Sequence, residues 1–268
     1  MKSPGIRVGN QTSCNVAARL PFEFAINNAF DAFEWFSDPG SSGWDEDSFS
    51  AFERAELRCK GQEHGILFSV HAPWVADPTT HAGIEAIMRS IHFAEDVGAG
   101  LVNFHLFPEH EARLYTEALK PLIKAAQMAN IRLSLENTRQ CSPEDCNEVF
   151  AIFSAMPEAA GRVGMCLDMG HANLFPGTHN DCLNYVDRLS EQVPIIHWHA
   201  HENWGDNDSH LPLFTGPSAR DESVVRALIQ RLKKRGFAGS VVMEQWPQPP
   251  EILISTRQHL LQLWNECK

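Results

Sequence analysis

Residues 131–137 read IRLSLEN. Successive side chains of a strand point to opposite faces, so Ile131, Leu133 and Leu135 make one apolar face, and Arg132, Ser134 and Glu136 a polar one. Residues 162–171, RVGMCLDMGH, split the same way, with Val163, Met165, Leu167 and Met169 against Gly164, Cys166 and Asp168. In residues 194–203, PIIHWHAHEN, the split is Ile196, Trp198 and Ala200 against His197, His199 and His201. Alternate residues of a barrel strand face the surrounding helices or the lumen. This parity therefore predicts a closed barrel with a polar lumen at one mouth.

Outward from these three stretches, five more read as strands: GIRVGN, DAFEWF, GILFSVHAPW, GLVNFHL and GSVVMEQW. Helical patterns fall between them at residues 21–29, 48–59, 80–97, 109–129, 143–156, 180–191, 221–235 and 250–264. Ser142 before Pro143 and Glu144 is a start signal for one of them. Eight strand–helix units in 268 residues give about 33 residues per unit, the size of a βα repeat. Regular alternation implies a parallel sheet, and eight repeats predict an α/β (β/α)8 TIM barrel spanning residues 1–268 as a single domain. A doubly wound open sheet is disfavoured because no G-x-G-x-x-G follows any strand.

Composition narrows the function classes. Hydrophobic residues at 43% and charged residues at 21% describe an ordinary globular chain. A net charge of −12 repels polyanions, which weakens the case for a nucleic-acid partner. No apolar run approaches the roughly 18–20 residues of a membrane helix, and MKSPGIRVGN lacks a signal-peptide core. Seven scattered cysteines without a C-x-x-C pair point to reduced thiols and a cytoplasmic setting. Exposed-looking aromatics such as Phe30 and Trp264 leave room for an oligomer.

The unusual feature is 13 histidines, of which His197, His199, His201 and His210 fall close together. Glu34, His71, His105 and Glu244 lie on the polar parity of their own strands, near the C-terminal ends where such barrels carry their active sites. With Glu136, Asp168, His171, His199, Asp208 and His210 they bring acids and imidazoles to one mouth. Such groups each offer a lone pair, and a cation offsets the repulsion of several buried acids. Without one, Glu136, Asp168 and Glu244 would have to protonate or bear a large burial cost. Each residue alone has a plainer reading: a hydrogen-bonded core histidine for His71 or His105, a loop cap for Asp168. Their coincidence at six strand ends is what points to a bound divalent metal, with zinc, manganese and cobalt the cations such donors suit.

The stretches SVHAPW, NFHLF, LENT, CLDMGHA, HWHAHEN with DSHLPL, and VMEQW resemble, in order, the motifs of the xylose isomerase-like barrel superfamily. The resemblance covers roughly residues 64–246 and implies either of two ligand sets. On the epimerase pattern Glu136, Asp168, His199 and Glu244 hold one catalytic cation with His171 nearby. On the zinc-endonuclease pattern His71, His105, His171, Asp208 and His210 join them around two or three ions.

The first expectation is a metal-dependent isomerase or epimerase acting on a sugar, polyol or related small carbohydrate. Glu136 and Glu244 would move the proton through an enediolate, with His171 beside them. Metal-assisted phosphodiester hydrolysis of the AP endonuclease type is the alternative, followed by a sugar or inositol dehydratase. Residues 198–219 contain no lysine or arginine, and the loop at 38–50, DPGSSGWDEDSFS, is acidic, which disfavours a DNA-wrapping surface. A non-catalytic, metal-stabilised barrel would keep no open coordination position. The loops instead offer Trp44, Trp74, Phe107, Phe175, Trp204, Phe214 and Trp246, of which Trp74, Trp204 and Trp246, with Arg139 and Glu34, are candidate substrate contacts. A phosphorylated substrate would need backbone amides, for instance near Gly216. Where ketose 3-epimerases carry an arginine shortly after the strand-seven histidine, Gly205 stands here.

Overall fold

A computed structural model describes residues 5–38, 40 and 44–267. Residues 1–4 and the 39 and 41–43 portion of the acidic loop lie outside the described residues, as does 268. Eight parallel strands close into a barrel in chain order: β1 Arg7–Gln11, β2 Ala32–Phe36, β3 Leu67–His71, β4 Leu101–His105, β5 Arg132–Glu136, β6 Val163–Asp168, β7 Ile195–His199 and β8 Ser240–Met243. Closure is made by β1 on β8, with Val8 opposite Val241 and Asn10 opposite Met243. The TIM-barrel architecture expected from the repeat is the one observed.

The helices are α1 Arg19–Asn27, α2 Ala51–His64, α3 His81–Val97, α4 Ala112–Ala118, α5 Lys120–Met128, α6 Pro143–Ser154, α7 Met169–Leu174, α8 Cys182–Arg188, α9 Ser223–Lys234 and α10 Ile252–Glu266. Sequence explains their ends. Ser142 accepts from the Asp145 amide while Asp145 reaches back, a capping box with Pro143 at the first turn. Ser50 and Glu53 do the same for α2, which Gly65 ends in the left-handed region at φ 66°.

Two local expectations are corrected. The single helix expected over 109–129 is two, broken at Leu119, because Pro121 has no amide hydrogen for a continuous helical ladder. The strand expected to run to residue 171 stops at Asp168, whose carboxylate accepts the His171 amide at 2.7 Å and starts α7 directly.

Outward-facing Leu133, Leu135, Met165, Leu167, Trp198 and Met243 are buried against the helix ring. Each such side chain contributes on the order of 1.5–3 kcal/mol by leaving water. Phe22, Phe33, Trp35 and Phe68 form an aromatic cluster under α1 and α2, with centroids 4.8–6.0 Å apart. The lumen is filled instead by Glu34, Ser69, Asn103, Ser134 and His197. No helix among the described residues is long and apolar enough to cross a membrane.

Candidate metal centre

His199, the last residue of β7, presents Nδ1 to three acids from three other strand ends. Glu136 Oε2 lies 3.1 Å away, Glu244 Oε1 3.0 Å and Asp168 Oδ2 3.9 Å. All four residues are buried or nearly so. Yet Nδ1 makes no aligned hydrogen bond to any of them, and Glu244 Oε2 has no hydrogen-bond partner at all. Short contacts without alignment are what co-ligands show when their lone pairs aim at a shared point rather than at one another.

The flanking histidines give a sharper test. His71 Nδ1 lies 2.6 Å from the Ala72 carbonyl, and His171 Nδ1 lies 2.9 Å from the Asn137 carbonyl. A carbonyl only accepts, so each Nδ1 carries the ring proton. Nε2 of each neutral ring is then a lone pair, yet it faces a carboxylate: Glu136 Oε2 at 3.1 Å from His71, and Asp208 Oδ2 at 3.0 Å from His171. Two acceptors so placed require a proton or a cation between them. His105 Nε2 joins Glu136 Oε1 at 3.4 Å, and His210 Nε2 joins Asp208 Oδ1 at 3.4 Å. The side chains fall into overlapping ligand groups, among them His71, His105 and Glu136; His171, Asp208 and His210; and His71, His199 and Glu244. The donor set is imidazole and carboxylate, which suits zinc, manganese or cobalt.

In the metal-free chain protons fill that demand. Burial works against charge on His171, but Asp168, Asp208 and Glu136 raise it well above the usual imidazole range. His71 is raised too, against burial, by Glu136 and Glu34. Burial likewise opposes ionisation of Asp208, and His171 and His210 outweigh it to hold that acid far down. His210 is pushed up to about 9, its burial overcome by Asp208 and Glu244.

Further side chains support these groups. Asn103 donates to Glu136 Oε2 at 2.6 Å and is itself held by Ser134 at 2.7 Å. Asn137 clamps β6 to β5 through both the amide and the carbonyl of Asp168, each at 2.9 Å. His201, beyond the end of β7, reaches Asp168 Oδ2 at 2.9 Å, and a Cβ on Gly170 would sit 2.0 Å from its ring. Asn103 shares the parity of His105 and was readable as lumenal. His201 likewise continues the polar parity of His197 and His199, whereas Asn137 lies past the end of β5 on the parity of Leu133 and Leu135 and gave no such signal.

Above the acids opens a cavity of about 610 Å³ whose wall includes Trp74, Phe107, Arg139, Glu136, Glu244 and His171. Other expected substrate contacts are not there. Glu34 is fully buried one layer below His199, with no path to the cavity. Trp246 packs edge-on against Phe24, and Trp204 lies under Arg220 in a separate cavity of about 340 Å³. Trp44 belongs to the core with Trp35 and Phe49, Phe175 packs on Tyr185, and Phe214 stacks on His259. The backbone amides of Thr215, Gly216 and Ser218, at the place expected to seat a phosphate, all donate to the Glu202 carboxylate.

Among solved structures, a D-tagatose 3-epimerase-like protein superposes with a TM-score of 0.75 at 20% identity, over 97% of this chain and 99% of that one. A protein of Thermus thermophilus soaked with zinc chloride gives 0.70 at 22% identity, over 98% and 100%. At such identities the likeness concerns the fold. By sequence, an uncharacterized protein of Methanocaldococcus jannaschii is 25% identical over 212 residues, covering 70% of this chain and 67% of the relative. The xylose isomerase-like TIM barrel family matches residues 22–263. With eight parallel strands closed in order and that match spanning nearly all of them, the chain belongs to the xylose isomerase-like TIM barrel family.

Proposed function

We propose that the protein is a divalent-metal-dependent isomerase or epimerase of a small, uncharged sugar or polyol. The observation that carries this reading is the meeting of Glu136, Asp168 and Glu244 on His199 Nδ1 at the floor of a cavity walled by Trp74 and Phe107. The epimerase likeness among the structural relatives points the same way. A cation held by Glu136, Asp168, His199 and Glu244 would supply Lewis acidity toward a substrate carbonyl and its neighbouring hydroxyl.

The chain's own groups do the rest. Glu244 keeps one oxygen without a hydrogen-bond partner at the cavity wall, and takes the proton from the carbon beside the carbonyl. Glu136, held by Asn103, enters the step protonated and delivers its proton from the other side, giving the inverted centre and leaving Glu136 as the anion and Glu244 protonated until they exchange with solvent. His171 lies 3.3 Å from Glu136 Oε1 and stabilises its anion between transfers. Trp74 and Phe107 stack on the apolar face of a sugar ring and keep water from the enediolate. Arg139 is the sole arginine or lysine on the cavity wall among the described residues, which suits a hydroxyl-rich neutral substrate better than a nucleic-acid backbone.

One observation favours a second reading. The groups around His71 with His105, and His171 with Asp208 and His210, exceed what a single ion needs. Metal-assisted phosphodiester hydrolysis would use them. Both readings are tested by incubating the metal-loaded protein with neutral ketoses and polyols in deuterium oxide, and separately with bis-p-nitrophenyl phosphate. Deuterium wash-in at a carbon beside a carbonyl supports the isomerase. Ester cleavage without wash-in replaces it with the hydrolase.

A further inference from the structure

Beneath the metal centre lies a second layer of polar side chains that the proposed reaction does not touch. Glu34 of β2 is fully buried there, a carboxyl group in a closed lumen. Its Oε2 accepts from Ser69 Oγ at 2.7 Å and from His197 Nε2 at 2.9 Å. Ser69 is its register neighbour on β3, and His197 reaches it from β7 across the lumen. These two donors pin one oxygen, and the other, Oε1, is left facing His199 Nε2 at 3.0 Å. Neither Oε1 nor His199 Nε2 makes an aligned hydrogen bond to any other group, so the two buried atoms have only each other at that distance.

We infer that Glu34 is a positioning residue for the metal centre, acting through His199 from below. An imidazole has one ring proton to place when neutral. A carboxylate under Nε2 draws it to that nitrogen, so that Nδ1 presents its lone pair to Glu136, Asp168 and Glu244. The same anion raises the basicity of Nδ1, the effect by which carboxylate–histidine pairs strengthen metal binding. Ser69 and His197 are needed because a glutamate held by only one contact could rotate its oxygen away from the ring. The mouth of the barrel is therefore built on a pedestal: Ser69 and His197 fix Glu34, Glu34 fixes His199, and His199 gathers the acids.

This inference rests on the metal-site reading, and the experiment separates the two. Zinc affinity of chelator-stripped wild type, Glu34→Gln and Ser69→Ala is measured by competition with a chromophoric chelator, alongside circular dichroism and metal-free thermal midpoints. Glu34→Gln is expected to weaken zinc by about 10–100-fold while the folded spectrum is retained, and Ser69→Ala to lie between it and wild type. A merely structural role would lower the metal-free midpoint and leave the affinity of the folded protein unchanged, which overturns the inference. If Glu34→Gln does not fold, Ser69→Ala decides: wild-type affinity there counts against the pedestal, and weakened affinity supports it. Absence of zinc binding by wild type would remove the metal-site reading itself, and this inference with it.

Discussion

His201 and His210 lie face to face, ring centroids 4.0 Å apart and planes 2° from parallel. His201 rests on Asp168, while His210 points to Asp208 and stands with φ 44°, a backbone region that non-glycine residues rarely adopt. Strain of this kind persists where the surroundings over-determine it, commonly at functional sites.

A pH dependence follows for the metal-free protein. His210 is raised from 6.5 to about 9 in the fold. Its contribution to stability is fully present below about pH 6.5 and is lost as pH rises through about 9. The thermal midpoint of chelator-stripped protein is expected to fall across that window, and His210→Ala to flatten the fall. A wild-type midpoint that is level from pH 6.5 to 9 contradicts the assignment.

Metal loading should stabilise the chain. Zinc at 1,000 times its dissociation constant adds about 4 kcal/mol, and for a protein of this size each kcal/mol moves the midpoint by roughly 2–4 °C. Addition of zinc to stripped protein is therefore expected to raise the midpoint by about 8–16 °C. Elemental analysis checks the count: His210→Ala should lose the ion held with His171 and Asp208 and keep the one at His199. Unchanged metal content in His210→Ala would show that this group holds none.

Glu244→Gln removes the proton acceptor with its size and shape retained. Deuterium wash-in is expected to drop about 10²–10⁴-fold. Turnover at the wild-type rate would mean that another group carries the proton.

Asn137→Ala tests the clamp between β5 and β6. It strips the partners from the Asp168 amide and carbonyl, both buried, at about 1–3 kcal/mol each. A loss of about 2–6 kcal/mol in chemical denaturation is expected, together with weaker zinc binding as Asp168 loosens. A loss below about 0.5 kcal/mol would show that water replaces the side chain without cost.

Much of this was legible before the fold. Alternation in IRLSLEN told Leu133 and Leu135 from Ser134 and Glu136 because strand periodicity is a backbone property that needs no neighbours. The helix starts at Ser50 and Ser142 are written locally by capping chemistry, and the start at Ser142 is legible from its neighbours alone. Glu34 shows the limit. Its parity placed it in the lumen correctly, but parity has no height, and one layer separates a residue that meets substrate from one buried beneath a ligand. Trp204 and Trp246 are ambiguous in sequence for a related reason: an indole in a loop reads alike whether it faces the main cavity, a neighbouring one or a helix.

The chain alone determined eight repeats, the inward face of most strands and the ligand-type residues at six of their ends, since these follow from periodicity and side-chain chemistry within a few residues. Closure of the barrel decided the rest. Only when β2, β5, β6, β7 and β8 are brought around one axis does His199 meet Glu136, Asp168 and Glu244 on one nitrogen and Glu34 on the other. Those contacts join residues as far apart as 34 and 199, and their distances are set by strand register and packing, which no local pattern encodes.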